Sequence, residues 1–417
     1  MNDLSDNKFH QYKLIIIFVG LPASGKSYTS FQLNQYFNWI GYNTQIFNCG
    51  EYRRKLNDKN QSSIFFDSKN KDLVQQRETF LNYALFDLNT FLTINNGKIA
   101  ILDATNSTKE RRRKIIETLN LFDYPKKIIF IENITKDKDI IDKNILFKKN
   151  SKDYINFSIE DMKKDFTERL NYYKEIYETL LEEESLNYIK IFDCGKTVTY
   201  HNINGYIESL LLTFLINFRV YQKKIFITRH GQSLYNLEER IGGDPELSIE
   251  GQKYALKLFN YISLYYKKDD IIIFTSNLKR TKITAKYFIE NDYNVIHKDI
   301  LNEIHGGVCE NLTYDYVKKT MPELHEARSK DKFNFKYPEG ESYYDLIIRL
   351  KEFILELNRL ERPVLIICHN AIVRVLYSYF FSILHEDIPH QNIQLHNLDC
   401  ITNDTYFYKK ESVLTYS

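Results

Sequence analysis

The chain has 417 residues, of which 43% are hydrophobic and 27% charged, and its formal net charge is +2. That length predicts two or three domains, and that composition predicts ordinary globular cores. The near-neutral charge leaves no basic surplus for a nucleic-acid partner.

Cysteine usage and the lack of long apolar segments indicate a reducing compartment away from the membrane. The five cysteines are odd in number and form no C-x-x-C pair, which argues against a disulfide framework and a zinc site. Residues 1–11 contain no apolar signal core, and the longest apolar stretch, at residues 210–218, is too short to span a bilayer. We therefore expect a soluble cytoplasmic protein.

Short apolar runs alternate with helical patterns through the first half. The runs are nearly continuous, as expected for parallel strands buried on both faces. They lie at residues 14–19, 44–47, 99–102, 127–131 and 189–192, and helical patterns separate them, for example at residues 27–39 and 75–93. This alternation predicts a doubly wound α/β domain. The polar segments at residues 58–72 and 136–153 are predicted to be surface loops or lids.

A glycine-rich loop follows the first strand candidate directly. In the pattern G-x-x-x-x-G-K-[ST], glycines let backbone N–H groups wrap a phosphate, lysine reaches the outer phosphates and the hydroxyl binds magnesium. A helix expected to begin at Ser27 adds its positive dipole end. The strand–loop–helix setting therefore predicts a nucleotide site formed by Gly20, Ala23, Ser24, Gly25, Lys26 and Ser27.

A carboxylate closes the third strand candidate. Asp103 follows residues 99–102, and at the end of a neighbouring strand it can hold magnesium or take a hydroxyl proton. The alternative is that Asp103 caps the helix expected at residues 108–119. We favour the catalytic interpretation, with Ser27 and Asp103 as the magnesium pair, because the phosphate-binding loop should lie beside Asp103.

Distinctive sequence words surround these motifs. Residues 38–41 read Asn-Trp-Ile-Gly, residues 47–54 read Phe-Asn-Cys-Gly-Glu-Tyr-Arg-Arg, and residues 103–106 read Asp-Ala-Thr-Asn. This order closely resembles the kinase half of the 6-phosphofructo-2-kinase/fructose-2,6-bisphosphatase family. The resemblance implies a P-loop kinase domain over residues 1–220 that uses ATP and Mg²⁺ to phosphorylate the 2-hydroxyl of fructose 6-phosphate.

The resemblance also implies a set of residues that hold the sugar phosphate, for which guanidinium forks are well suited. They are Arg54, Arg77, Thr105, Arg169, Tyr173 and a lysine that is either Lys148 or Lys149. The chain departs from the family at Ser24, where arginine is common, and at Thr135, where cysteine is often found.

A second α/β alternation begins after a helical pattern at residues 202–218 and a polar linker at residues 219–223. We place the domain boundary near Tyr221. The later strand candidates lie at residues 224–228, 271–274, 294–297 and 364–368. The charged runs at residues 111–113 and 182–184 are interpreted as solvated helix faces.

Two histidines and two arginines follow strand candidates in this half. Arg229-His230-Gly231 ends the first strand, Cys368-His369-Asn370 closes the last, and Arg280 lies on a helix expected after Ser276. We predict that neutral His230 attacks phosphorus. Arg229, Arg280 and His369 would stabilise the equatorial oxygens, and Asn236 can donate one more hydrogen bond. The alternative for His369 is a hydrogen-bonded core residue.

This half likewise resembles the phosphatase half of the same family. The resemblance implies a histidine-phosphatase domain of the phosphoglycerate-mutase-like α/β fold over residues 221–417, working through a phosphohistidine without a metal. It implies that Glu303 is the general acid and base. It further implies that the sugar and its 6-phosphate are bound by Tyr314, Arg328, Lys332, Tyr343, Asn370 and Arg374.

This half departs from the family at three positions. Gln232 stands where glutamate is usual, His305 where aspartate is usual, and Asn370 where glutamine is usual. We predict that these are changes in supporting residues, because every proposed phosphoryl-contacting residue is present.

The resemblance covers nearly the whole chain, about residues 14–396. It implies a cytoplasmic bifunctional enzyme, a homodimer by family analogy, that makes fructose 2,6-bisphosphate and hydrolyses it back in the regulation of glycolysis. Two alternatives stay open: the same fold with one dominant activity, and a non-catalytic metabolite-sensing protein. Intact Lys26, Asp103, His230, Glu303 and His369 count against the second. A nucleic-acid kinase–phosphatase would need a basic stripe, which the charge does not offer.

Overall fold

Two six-stranded sheets organise the chain, one in each half. The computed structural model describes residues 12–56, 63–150, 153–154, 157–219, 223–404 and 407–416. The chain divides into two units, Met1–Val220 and Tyr221–Ser417. Most of the predicted linker, residues 220–222, lies outside the described residues. Within the described part of the chain, every helix is too short or too polar to cross a membrane.

The first unit is a sheet covered by helices. Its strands are β1 (Lys13–Val19), β2 (Thr44–Asn48), β3 (Ile99–Asp103), β4 (Lys126–Ile134), β5 (Tyr188–Phe192) and β6 (Thr197–His201). Its helices are α1 (Lys26–Trp39), α2 (Cys49–Leu56), α3 (Lys71–Thr93), α4 (Lys109–Asn120), α5 (Lys138–Leu146), α6 (Ile159–Ile176) and α7 (Tyr206–Asn217). The strand order is β2-β3-β1-β4-β5-β6. The predicted doubly wound fold is confirmed.

The central strands are apolar because both of their faces are covered. Residues 14–19 of β1 are fully buried, and β1 pairs in parallel with β3 on one side and β4 on the other. The carboxyl ends of β1 and β3 therefore lie side by side. This is the edge where open α/β sheets bind ligands.

Three features of the first unit differ from the sequence prediction. The edge strand β6 was not predicted; it pairs antiparallel with β5 and is largely exposed, so it has no apolar run. The segment at residues 136–153 is not a simple loop, since it contains α5 and a 3-10 turn at Phe147–Asn150. Of the segment at residues 58–72, residues 58–62 lie outside the described residues, Ser63–Phe66 form a 3-10 turn and α3 begins at Lys71.

The second unit repeats the layered arrangement with a mixed sheet. Its strands are β7 (Ile225–Arg229), β8 (Ile272–Thr275), β9 (Val295–His297), β10 (Val364–Cys368), β11 (Asn397–Asp404) and β12 (Phe407–Thr415), in the order β12-β11-β7-β10-β8-β9. Its helices are α8 (Leu234–Leu237), α9 (Ile249–Tyr265), α10 (Lys279–Thr284), α11 (Lys286–Glu290), α12 (Tyr314–Thr320), α13 (Pro322–Lys330), α14 (Tyr343–Arg359) and α15 (Asn370–Phe381). The four predicted strands are confirmed and lie next to one another in parallel.

The strands β11 and β12 were not predicted. They pair antiparallel with each other, and β11 pairs antiparallel with β7. β11 lies inside the sheet, whereas β12 is the edge strand and is mostly exposed. Such a strand carries polar residues on its open face, so its sequence lacks the continuous apolar run of a central strand.

An arginine predicted to be solvated is buried instead. Arg112 is 0% exposed. Its guanidinium binds both carboxylate oxygens of Glu184, at 2.9 and 2.8 Å, and donates to the Glu178 carbonyl at 2.9 Å. The solvated interpretation of residues 111–113 and 182–184 is therefore wrong for Arg112 and its partner. The Arg112–Glu184 ion pair holds α4 against the segment that precedes β5.

We predict that Arg112→Ala destabilises the first unit by about 3–5 kcal/mol, because it leaves a partly buried carboxylate without its cation. Arg113→Ala is the matched control; Arg113 is exposed and its ion pair with Glu117 should contribute about 0–1 kcal/mol. Urea unfolding followed by the fluorescence of the single tryptophan, Trp39, reports on this unit alone. Equal midpoints for the two variants would show that the buried pair adds no stability.

Candidate active sites

The loop after β1 has a backbone shape that requires glycine. Gly20 has φ of 141° and Gly25 has φ of 89°, a region that side chains disfavour. A Cβ on Gly20 would lie 2.5 Å from the carbonyl oxygen of Asn133 in β4. Helix α1 begins at Lys26, immediately after the loop. Backbone amides and a helix amino terminus thus converge where an anion would be held.

A lysine lies beneath this loop. Lys26 is 7% exposed, and its Nζ donates to the carbonyls of Gly20 and Leu21 at 2.8 and 2.7 Å. Burial lowers the pKa of Lys26 to about 7, although Asp103 favours the charged form. A bound polyphosphate would restore the charge by the same electrostatic rule.

The two loop positions that depart from the family contact each other. The Thr135 hydroxyl donates to the Ser24 carbonyl at 3.3 Å, and the Asn144 amide donates to the Ala23 carbonyl at 2.8 Å. Ser27 is the second residue of α1. The chain after β4 therefore supports the loop from one side.

Asp103 ends β3 beside the loop and is 4% exposed. The Asn48 side chain donates to its Oδ2 at 2.5 Å, and the Gly20 N–H donates to the Thr105 carbonyl at 3.0 Å. Thr108, not Asp103, caps α4. The capping alternative for Asp103 is therefore wrong, and its buried carboxylate stays next to Lys26.

Part of the predicted sugar-phosphate set forms a cationic cluster. Arg54 and Arg169 lie near Arg53, a residue that the sequence analysis did not select, and all three favour the charged form of Asp153. Asp153 Oδ2 lies 2.5 Å from Arg53 and 3.4 Å from Arg54. Asp153 lies in a segment that sequence reasoning assigned to a loop. The Arg53-Arg54 doublet was the sequence signal that could have pointed to Arg53.

Other members of that set have different neighbours. Arg77 donates to the carbonyls of Phe65 and Asp67 and lies over the Phe65 ring. Tyr173 packs in the same aromatic cluster as Phe65. The structure therefore places Arg77 with Tyr173.

The two candidate lysines also differ. Lys149 donates to the carbonyls of Tyr154 and Phe157. Lys148 instead lies close enough to Lys26 to lower its pKa, and so does Arg169. The cation nearer to the glycine-rich loop is Lys148.

In the second unit, His230 follows β7 and is 3% exposed. Its backbone N–H donates to the Cys368 carbonyl at 2.9 Å, which brings it next to the end of β10. Its Nδ1 lies 2.7 Å from the Gly231 carbonyl oxygen. Because a carbonyl only accepts, the proton sits on Nδ1 and Nε2 keeps its lone pair, as a nucleophile requires.

One guanidinium connects both imidazoles. The Nε of Arg280 lies 3.2 Å from His230 Nε2 and 3.2 Å from His369 Nδ1. Arginine only donates, so both of these ring nitrogens are unprotonated. The proton of His369 therefore sits on Nε2, which donates to the Ser276 hydroxyl at 2.8 Å. Both histidines are neutral, and each has a fixed tautomer.

The surroundings of the two imidazoles disfavour their charged forms. Burial lowers the pKa of His230 and His369 well below the ordinary 6.5, and Arg280 and Arg229 lower it further. The Nε of Arg229 is buried and has no partner among the described residues, while its NH1 donates to the Ile393 carbonyl at 2.9 Å. A buried donor without a partner is unfavourable until an anion occupies the site.

Glu303 supplies a carboxylate next to these cations. It favours the charged forms of Arg229 and Arg280, and its Oε1 accepts the N–H of Ala371 in the first turn of α15 at 3.2 Å. Arg349 donates to three backbone carbonyls between residues 299 and 302, which fixes the chain just before Glu303.

The predicted sugar-binding residues form a second cationic group. Arg374 NH1 donates to the Tyr343 hydroxyl at 2.9 Å, and the Arg328 guanidinium lies 5.7 Å from the centre of the Tyr314 ring. Burial, together with the nearby charges of Arg328 and Arg374, lowers the pKa of Lys332 to about 8. Like charges are therefore close together here, as in a site for an anion.

Arg328 and Lys332 are four residues apart in the sequence but do not lie on one helix. Helix α13 ends at Lys330, so Lys332 lies beyond it rather than one turn after Arg328 on the same face. Lys332 donates to the Pro389 carbonyl at 3.0 Å. Packing of this loop, rather than helical spacing, brings Lys332 close to Arg328.

Three further side chains hold the chain around the pocket. Gln232 Oε1 accepts the Ser248 hydroxyl at 2.8 Å, and His305 Nδ1 lies 3.2 Å from the Glu339 carbonyl. Asn236 accepts the Ser233 N–H at 2.9 Å through Oδ1, which leaves its amide group to donate.

Asn370 begins α15, immediately after His369. Its Oδ1 is buried and has no partner among the described residues. The side chain therefore has acceptor capacity to offer a ligand at this end of β10.

Two family models match the chain. The model for 6-phosphofructo-2-kinase matches residues 1–222, and that for the histidine phosphatase superfamily (branch 1) matches residues 225–412.

Relatives match almost the whole chain. It is 38% identical over 411 residues to a 6-phosphofructo-2-kinase/fructose-2,6-bisphosphatase of Aquarana catesbeiana, covering 97% of this chain and 86% of the relative. It is 39% identical over 412 residues to 6-phosphofructo-2-kinase/fructose-2,6-bisphosphatase 1 of Homo sapiens, covering 97% and 85%. It is 39% identical over 404 residues to 6-phosphofructo-2-kinase/fructose-2,6-bisphosphatase 4 of Rattus norvegicus, covering 96% of this chain and 84% of the relative.

We predict that Arg280→Ala raises the pKa of both His230 and His369, because it removes a cation that disfavours each imidazolium. In the wild-type protein both rings should remain neutral well below pH 6.5. NMR of the ring nitrogens as a function of pH measures the pKa of each histidine. Lys279→Ala, which removes the exposed neighbouring charge, should leave the two titrations unchanged. Identical titrations in the wild type and Arg280→Ala would refute the proposed electrostatic contact.

Proposed function

The chain belongs to the 6-phosphofructo-2-kinase/fructose-2,6-bisphosphatase family, and on that premise we propose that its first unit makes fructose 2,6-bisphosphate and its second unit hydrolyses it. The observation that carries the proposal is that each unit holds a phosphoryl-handling set at the carboxyl edge of its sheet. One set is the glycine-rich loop with Lys26 and Asp103, and the other is the His230–Arg280–His369 group.

In the first unit the loop amides and the amino terminus of α1 would bind the phosphates of ATP. Lys26 would leave the carbonyls of Gly20 and Leu21 and donate to the phosphoryl group in transfer. Ser27 and Asp103 offer hard oxygen ligands that fit Mg²⁺, which when bound would neutralise phosphate charge. Asp103 is also placed to take the proton of the attacking hydroxyl.

Fructose 6-phosphate would bind against the cationic cluster beside this loop. Arg54 and Arg169 supply guanidinium groups, and Lys148 is the better candidate of the two lysines because of its electrostatic contact with Lys26. Arg77, Thr105 and Tyr173 complete the proposed set. Asp153 partly neutralises the cluster, so the sugar phosphate would compete with it.

In the second unit His230 Nε2 would attack the phosphorus of the 2-phosphate. The bond between phosphorus and the sugar oxygen breaks, and that oxygen takes a proton from Glu303. Water then attacks the phosphohistidine and gives its proton to Glu303, releasing phosphate and neutral His230. The Gly231 carbonyl holds Nδ1–H through both steps and stabilises the charged ring.

The buried cations would bind the oxygens of the transferred group. Arg229 Nε and Arg280 donate to them, and the anion would raise the pKa of His369 so that it too can donate. The second cationic group, with Arg328, Lys332, Tyr343 and Arg374, would hold the 6-phosphate, while Asn236, Tyr314 and Asn370 would contact the sugar. The resemblance further implies a cytoplasmic homodimer.

The two activities should separate by mutation. Lys26→Ala should lower kinase activity by at least ~100-fold while phosphatase activity stays near wild type, because the second site lies in another unit. His230→Ala should do the reverse. Purified proteins are assayed with ATP plus fructose 6-phosphate, and separately with fructose 2,6-bisphosphate. If either folded variant loses both activities, or neither, the assignment of sites to units fails.

Arg328→Ala tests the proposed site for the 6-phosphate. A hydrogen bond to a charged group contributes roughly 1.5–3 kcal/mol, so kcat/KM for fructose 2,6-bisphosphate should fall about 10- to 150-fold. Hydrolysis of p-nitrophenyl phosphate should hardly change, since it has no second phosphate. Lys330→Ala, an exposed cation on the same helix, is the control. Equal losses of activity with both substrates would show that Arg328 contributes to the catalytic pocket or to folding rather than to a 6-phosphate site.

A further inference from the structure

The carboxylate of Glu310 lies between two backbone segments that border the phosphatase pocket. Its Oε1 accepts the N–H of Gly306 at 2.6 Å, and its Oε2 accepts the N–H of Gly243. Glu310 follows the 3-10 turn Gly307–Cys309, so its side chain folds back over the start of its own turn. One acceptor group thus joins segments that are more than sixty residues apart in the sequence.

The turn at Gly242 and Gly243 is shaped around this carboxylate. Both glycines lie in the left-handed region, with φ of 60° and 64°. A Cβ on Gly242 would collide with the Glu310 carboxylate, and a Cβ on Gly243 would lie 2.5 Å from Asn311 Oδ1. The close approach therefore depends on the missing side chains.

From this turn the contact continues to the phosphoryl site. The Gly243 carbonyl accepts Arg280 NH1 at 2.7 Å, and the Nε of the same arginine lies between the two imidazoles. Asp244 accepts the N–H of Lys279 at 2.7 Å, at the start of the helix that carries Arg280. A shift of the turn would thus move the guanidinium relative to His230.

The other oxygen of Glu310 holds the chain that carries the general acid. Gly306 is three residues after Glu303. Between them, the His305 N–H donates to the Glu341 carboxylate at 3.0 Å, and the His305 carbonyl accepts the Glu341 N–H at 2.9 Å. The Gly306 contact fixes the far end of this short segment. Glu310 therefore acts on the acid as well as on the guanidinium.

We propose that Glu310 is a positioning residue of the phosphatase, whose carboxylate holds Arg280 and Glu303 in register through the Gly243 and Gly306 amides. The proposal rests on the proposed function of the second unit. Both contacts come from N–H donors, so the residue must accept at both oxygens, which an ionised carboxylate does. A glutamine has the same shape but would direct an NH₂ group at one of the two donors.

The first test is Glu310→Gln. A misplaced catalytic group costs about 100-fold in rate, so kcat for fructose 2,6-bisphosphate should fall by about 100-fold with little change in KM. Kinase activity should be unchanged, because its site lies in the other unit. Glu352→Gln, an exposed carboxylate on α14, is the matched control and should leave both activities unchanged. Wild-type phosphatase kinetics in Glu310→Gln would overturn the proposal.

A second substrate separates the two contacts. The leaving group of p-nitrophenyl phosphate, p-nitrophenolate, departs without a proton, so the first step with this substrate needs Arg280 but does not need Glu303 as an acid. The proposal requires that Glu310→Gln slows this substrate as well, by a smaller factor than fructose 2,6-bisphosphate. If only the sugar substrate slows, Glu310 acts on the acid alone, and the joint role is refuted.

Hydrogen exchange in the wild-type protein keeps the proposal testable if the variant does not fold. The amides of Gly243 and Gly306 should exchange far more slowly than those of an unstructured chain. Rapid exchange at either amide would overturn the proposal. Amide exchange and the hydrolysis of p-nitrophenyl phosphate can both be measured even if the protein does not hydrolyse fructose 2,6-bisphosphate. A wrong substrate assignment would therefore leave these two tests of Glu310 valid.

Discussion

Parallel pairing of the central strands is the constraint on which both sites depend. In the first unit Ile17 of β1 pairs with Leu102 of β3, so the glycine-rich loop and Asp103 emerge at one edge. In the second unit Arg229 of β7 pairs with Cys368 of β10, so His230 and His369 emerge together. A slip of one residue in either pair would turn these side chains to the other face of the sheet. Pairing of the apolar strands therefore determines which side chains meet at each site, and it also forms the core.

The second consequence of this arrangement is burial of charge. Arg229 ends β7, while Lys26 and Arg280 lie in the first turns of α1 and α10, and burial lowers the pKa of each. Nearby carboxylates offset this only in part, and Arg229 keeps a buried donor with no partner among the described residues. A phosphate group supplies the missing negative charge and the missing acceptor together. The same unfavourable burial that suppresses protonation of His230 thus favours a phosphoryl ligand.

The sequence predicted those parts of the fold in which every residue of an element has the same kind of surroundings. Strands buried on both faces read as apolar runs, and the loop at Gly20 has a fixed pattern, so both could be recognised. The edge strands β6 and β12 could not, since they are largely exposed and their composition resembles a loop. Inside the second sheet, β11 was missed because the polar Asp399 lies within its short buried run at residues 398–401. Arg112 was wrongly predicted to be solvated because a buried ion pair and an exposed one consist of the same residue types, and its partner Glu184 lies seventy-two residues away.

The sites divide along the same line. Strand-end residues such as His230 and His369 were predictable because the sheet aligns them, whereas residues that act through loop geometry were not. Lys332 reaches its neighbours from beyond the end of α13, and Glu310 accepts the N–H groups of two glycines. The sheet edge, which any member of the fold shares, holds the groups proposed to transfer phosphate. The loops around it hold the groups proposed to bind the sugar and align the acid. Under this proposal, substrate specificity depends on chain segments whose contacts form only once the whole domain is packed.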